Sequence, residues 1–224
     1  MNEGRRIRAS CVRDALTISA ANREGPWDGR SWAAAFTGLQ EALGLAYRGA
    51  EEVWVAAGTY RTAADGDRRR SLRLLGGLAL YGGFAGAEER REQRDWTSNE
   101  TTLSGDLGSP LGEAGIALHV VIGADGAVLG GFTVADGAGI DGHGAGLLCY
   151  NAVSPAVRNC RFVRLRAHDG GAVYACSLSS LPAFRGVHRW IGGKGQSGSP
   201  RRRGQGHSMK ACRREHTGHD GHGA

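Results

Sequence analysis

The chain has 224 residues, 41% of them apolar, which suits one domain with a genuine core, or one domain plus an appendage. Glycine is the outlier at 38 residues, well above the usual share of about 7%; it follows no Gly-X-Y period, so collagen is excluded and many tight turns or close backbone contacts are implied. The net charge of +6 is localised: residues 182–224 hold nine Lys+Arg against two Asp+Glu, while the first 181 hold 19 against 20. The basic character therefore belongs to a tail and does not argue that the whole domain binds nucleic acid.

In chain order, residues 1–13 carry no pattern and are read as disordered. DALTISA (14–20) alternates and is rich in strand formers. After the turn REGPWDGRS, Ser31 offers an N-cap. Behind it Trp32, Phe36, Leu39 and Leu43 recur at spacings of 4, 3 and 4, which predicts a helix over 31–46 with one apolar face. EVWVA (52–56) is a strand, broken by Gly58 and Thr59. SLRLLGGLALYGGF (71–84) reads as one or two strands around a Gly76-Gly77 turn. Further strands are predicted in TTLSG (101–105), ALHVVIG (117–123), AVLGGFTV (127–134), GLLCY (146–150), AVRNCRFV (156–163) and GAVYAC (171–176). After Leu181 the periodicity ends, and 182–224 is read as a disordered Arg/Gly/His-rich tail.

Two stretches, 144–163 and 169–187, align loosely, with Gly146 answering to Gly171 and Pro155 to Pro182. The two offsets nearly agree and fall within the range of about 20–50 residues that marks repeat architectures. A period of that size made of short strands points to a solenoid in which each repeat buries its face on a neighbour.

The ordered series GRSWAAAFTGLQEAL, EVWVAAGTY, LALYGGFAGAEERREQRDW, TTLSGD, HVVIG and LGGFTV resembles the N-terminal part of bacterial right-handed parallel β-helix proteins with the pectate-lyase-like fold. The resemblance covers about residues 16–176. It implies an all-β solenoid over 14–181, capped at its open end by the helix at 31–46. In that arrangement Ala79–Phe84 leaves the stack through Gly82 and Gly83. The charged run 88–95 forms an outside excursion with helically spaced Glu88–Arg91 and Arg91–Asp95 pairs, and Trp96 anchors the return. The resemblance also implies an extracellular or cell-surface address, although the chain as written shows no signal peptide.

Several strings invite chemical readings. Gly137-Ala-Gly139-Ile-Asp-Gly142 matches G-x-G-x-x-G, but a strand follows it where a dinucleotide site needs a helix, so it is read as a turn and no cofactor is expected. Gly142-His143-Gly144 resembles a catalytic tripeptide of the polygalacturonase branch, with Asp136 and Asp141 as the nearest acids. The paired aspartates of that branch are missing, and Asp-Gly-His-Gly recurs at 220–223. A lyase would need a calcium site of several carboxylates, whereas Asp65, Asp67, Asp106, Asp125, Asp136 and Asp141 are scattered. Cys212, His216, His219 and His222 have metal-ligand chemistry, but interleaved glycines make adventitious affinity the plain reading. Arg201–Arg203 lack neighbouring aromatics, so no specific nucleic-acid partner is expected.

The five cysteines contain no C-x-x-C pair; Cys149, Cys160 and Cys176 are expected to pack inward. No stretch is apolar enough for a membrane span. The abrupt change near 181 suggests a frameshifted or truncated tail, leaving an open C-terminal end expected to self-associate. The function expected is a non-enzymatic extracellular β-helix module, part of a longer secreted protein, that binds polysaccharide or a cell-surface protein. The alternative is a polysaccharide lyase or glycoside hydrolase acting on acidic glycans, with calcium only in the lyase case. Carboxylates with arginine or histidine converging on one sheet face would favour the enzyme.

Overall fold

Short apolar runs separated by glycine turns become short strands. In the computed structural model these are described within residues 15–19, 28–47, 49–63, 65–108, 115–150, 153–176, 183–186, 190–192 and 209–212, with the backbone alone for 140, 141, 176, 190–192 and 209–212. The strands collect into three sheets. The first holds β1 (Ala15–Ile18), β2 (Glu52–Ala56), β5 (Ala79–Phe84), β8 (Val128–Gly130), β11 (Ala156–Arg158) and β14 (Ala183–Arg185). The second holds β3 (Gly58–Arg61), β6 (Thr101–Ser104), β9 (Thr133–His143), β12 (Arg161–Asp169) and β15 (Trp190–Gly192). The third holds β4 (Leu72–Arg73), β7 (Val121–Ile122), β10 (Leu147–Cys149), β13 (Val173–Cys176) and β16 (Met209–Cys212).

From β2 onward each sheet takes every third strand, and every strand pairing among the described residues is parallel. Parallel partners cannot be joined by a tight hairpin. From β2 onward the connection between them runs through one strand of each of the other two sheets, while β1 and β2 are joined through the partly helical segment at 32–46. The described residues are thus mostly parallel β-sheet, with one α-helix among them, α1 (Leu39–Ala46).

Register stacks like side chains. Val53, Leu80, Leu129 and Val157 form a buried column in the first sheet. Tyr60, Leu103, Val134 and Phe162 form one in the second. Leu72, Val121, Leu147 and Val173 form one in the third. All three belong to one hydrophobic core, joined by Leu39, Ala42, Leu43 and Ala46 of α1. The corner between the first and second sheets also repeats. Gly131, Asn159 and Gly186 follow paired residues and have φ of 81°, 52° and 60°. Glycine and asparagine are the residues that enter this left-handed region most cheaply.

The structure corrects four expectations. The helix does not span 31–46. Ser31 caps only a 3-10 turn at Trp32–Ala34, and Phe36 then exchanges backbone hydrogen bonds with Thr17 and Ser19 before α1 begins at Leu39. Trp32 consequently lies outside, its ring 5.5 Å from Phe84 and its Nε1 donating to Glu88 O. Gly58 and Thr59 do not break a strand but begin β3, because Gly58 pairs with Thr101. The 137–142 string is not a turn; it continues β9 alongside β12. The excursion after β5 is not helical beyond a 3-10 turn at Arg91–Gln93. Arg91 pairs with Glu52 rather than with Glu88 or Asp95. The Glu88 carboxylate instead accepts the N–H groups of Ala85, Gly86 and Ala87. Partial burial would raise its pKa, but these backbone donors outweigh it and lower it.

Trp96 does anchor the return. An added Cβ on Gly83, which has φ 96°, would lie 2.7 Å from Trp96 Cα. Within 182–224, read as tail, β14, β15 and β16 extend the three sheets, and the remaining residues lie outside those described. No helix among the described residues is long and apolar enough to cross a membrane.

Candidate functional site

The outer face of the second sheet carries the densest polar arrangement described. Residues flanking the buried column point the other way, since side chains alternate along a strand. Thr59, Thr102, Thr133 and Arg161 therefore form one outward row across β3, β6, β9 and β12. Beyond it lie Ser104 and Val163, then Asp136 and Arg164. With Glu100 and Asp106 they line a cleft of about 580 Å³. A second cleft of about 280 Å³ adjoins it, sharing Glu100, Thr133 and Arg161 and adding Trp96, Phe132 and Asn159.

Charge in the cleft is paired. Arg164 donates from Nε and Nη2 to the two oxygens of Asp136, the latter at 2.9 Å, and Ser104 Oγ donates to Asp136 Oδ2 at 3.1 Å. The hydrogen bonds to Asp136 raise the Arg164 pKa further above its ordinary value. Thr133 Oγ1 donates to Glu100 Oε1 at 2.8 Å, and Arg161 Nη1 reaches the same oxygen at 3.3 Å. Asp106 Oδ1 accepts the Gly108 N–H. Trp96, in the second cleft, is 38% exposed, with the Arg94 guanidinium 4.9 Å from its ring. Arg94 is itself half-buried, which lowers its pKa, and it donates to the Gly82 and Gly130 carbonyls. The indole is thereby held in place beside the cleft.

The residues singled out from sequence separate. Asp136 is in this cleft. His143, at the far end of β9, has a different set of neighbours: its Nδ1 lies 3.7 Å from Asp169 Oδ2 and its ring stacks on Tyr174 at 4.4 Å. His168 Nδ1 lies 3.8 Å from the same Asp169 oxygen. The Asp141 side chain lies outside the described residues, as do the Cys212 side chain and His216, His219 and His222. Among the described residues no group of three or more His, Cys, Asp or Glu is placed to hold a metal ion. Asp65 and Asp67 pair with Arg70, and Asp125 accepts the Ser154 N–H, so these acids serve turns. Cys149 and Cys160 are buried thiols, and burial pushes them up to about 12 and about 11.

Sequence reading missed Glu100, Arg161 and Arg164. Each sits in a different part of the chain, and only the strand register brings them to one face. A usable signal was present in the threonines at 59, 102 and 133, which recur at one place on successive strands of the sheet. No protein-family model, no curated protein and no solved structure matches this chain.

Proposed function

We propose that the chain winds as a right-handed parallel β-helix of the pectate-lyase-like kind, capped by α1, and works as an extracellular or cell-surface module that binds polysaccharide on the outer face of its second sheet. The stride of three parallel sheets with stacked inward columns supports the winding. The apolar face of α1 against the same core supports the cap. The observation that carries the function is the cleft itself. It is an open, polar strip of hydroxyls and carboxylate–arginine pairs, and the adjoining second cleft adds an exposed tryptophan. Such a surface offers hydrogen bonds to sugar hydroxyls and an aromatic plane for a pyranose ring.

The test is a calorimetric survey of soluble glycan oligomers against the wild type, Trp96→Ala and Thr102→Val. Binding that weakens in both variants while each keeps the wild-type circular dichroism spectrum supports the reading. A flat response to every glycan rejects it.

Three carboxylates with two arginines on one face favour a second reading, an enzyme cleaving glycans. Against it, both oxygens of Asp136 are engaged by Arg164 and Ser104, so a proton-transfer role requires that pair to open. Prolonged incubation with polymeric glycans, followed by an assay for new reducing or unsaturated ends, separates the two readings.

A further inference from the structure

We infer that the glycan taken by this cleft is not acidic but carries amino groups, as in a polymer of glucosamine. This rests on the carbohydrate-binding reading and names its ligand class. Glu100, Asp106 and Asp136 face Arg161 and Arg164 across the cleft. Each arginine is already committed: Arg164 to Asp136 through two donors, and Arg161 to Glu100. Arg61, on the same sheet face, packs its guanidinium against Gly108 and is not among the cleft residues.

A uronate carboxylate entering here meets no uncommitted cation in the lining and a surplus of one negative charge. Each arginine still has N–H groups to offer, but its charge is already balanced by its carboxylate partner, so the uronate meets net repulsion from the surplus acid. What the cleft leaves open is acceptor capacity. Glu100 Oε1 takes both of that residue's hydrogen bonds, so Oε2 is free among the described residues. Asp106 uses Oδ1 for Gly108, leaving Oδ2. The Ser104 and Thr133 hydroxyls spend their protons on Asp136 and Glu100, so toward a ligand Thr133 presents lone pairs and Ser104 the one lone pair not taken by the Asp106 N–H. An acceptor-rich, slightly anionic strip recognises a donor-rich, cationic edge. Among glycans that is the protonated amino sugar, with the neutral hexose second and the uronate last.

The experiment compares three probes by calorimetry at about pH 5.5, where the amine of glucosamine is protonated: oligomers of glucosamine, of glucose and of galacturonic acid, matched in length. The glucosamine oligomer is expected to bind about tenfold more tightly than the glucose oligomer, weakening with added salt, with galacturonate weakest. Glu100→Gln should remove most of the preference for the amine. Asp136→Asn keeps a residue that tolerates the left-handed backbone and frees Arg164, so it should raise galacturonate binding. Galacturonate binding as tight as glucosamine in the wild type overturns the inference and leaves the carbohydrate reading standing. So does an Asp136→Asn variant that folds like the wild type but gains nothing for galacturonate. Failure of all three probes removes both.

Discussion

Asp136 and Arg164 occupy equivalent places on neighbouring strands, between the paired residues Ala135–Val163 and Gly137–Leu165, and both have a left-handed backbone, with φ of 58° and 50°. Their side chains meet because their backbones bend alike. Aspartate enters this region readily; for arginine it costs about 1–2 kcal/mol. The ion pair is mostly exposed and returns at most about 1 kcal/mol. At position 164 the usual order of small residues should therefore invert. Arg164→Ala loses the pair and keeps the strain, while Arg164→Gly loses the pair and relieves it. Glycine is expected to be the more stable by about 1 kcal/mol, read from urea midpoints. Alanine equal or better would show that the backbone there is not strained.

The column Tyr60, Leu103, Val134 and Phe162 lies at 4% exposure or less. Leu103→Ala should cost about 2–5 kcal/mol and Phe162→Ala about 3–5 kcal/mol. Thr59→Ala, on the opposite face of the same sheet, should change stability by less than about 0.5 kcal/mol. Chemical denaturation of the three variants measures the contrast, and equal losses would mean that the inward and outward faces are wrongly assigned.

Asp95 ties the returning chain to β5. Its carboxylate accepts from the hydroxyls of Thr97 and Ser98 and then from their backbone N–H groups, which together push its pKa well below the ordinary value. A depressed folded-state pKa gives stability that is present above the unfolded value near 3.9 and fades as the pH falls below it. The melting temperature of Asp95→Asn should therefore fall less steeply than that of the wild type between about pH 4 and pH 2. Parallel acid profiles would dismiss the contribution.

The buried thiols behave in the opposite sense. Burial raises Cys149 to about 12 and Cys160 to about 11. Raised values favour the folded state below the unfolded thiol pKa of about 8.5, and this preference is lost as the pH climbs toward the folded values. In a variant with Cys11, Cys176 and Cys212 changed to serine, a thiol reagent at about pH 8 should label nothing until denaturant is added. Rapid labelling of the folded protein would contradict the burial.

The later part of the pattern was legible because it is regular. The offsets read from Gly146–Gly171 and Pro155–Pro182 lie close to the observed pairings Leu147–Val173 and Ala156–Ala183. The earlier part was not. Glu52 pairs with Ala79, and Val128 with Ala156, at nearly the same separation along the chain. Ala79 and Val128 also pair but lie almost twice as far apart in sequence, because the excursion after β5 and the loop after β6 fall between them. Helical spacing at Trp32 and Phe36 misled because Phe36 finds a better use for its backbone beside β1 than in a helix. The cleft was hidden for another reason. Glu100, Asp136 and Arg164 mean nothing together until register is known, and periodicity fixes faces before it fixes neighbours.

In the proposed β-helical winding the strand ladders of all three sheets share one axis, and a pull along it would not load the whole molecule at once. Tension would concentrate on one outermost layer, whose three short ladders open like zippers, and then pass to the next. Stretched between two handles, the protein should lengthen in nearly equal instalments, each set by the chain length between paired strands such as Glu52–Ala79 and Val128–Ala156. One instalment, between Ala79 and Val128, should be almost double, because the excursion and the loop after β6 are both stored there. That single oversized step would mark the clasp around Trp96 in a force trace.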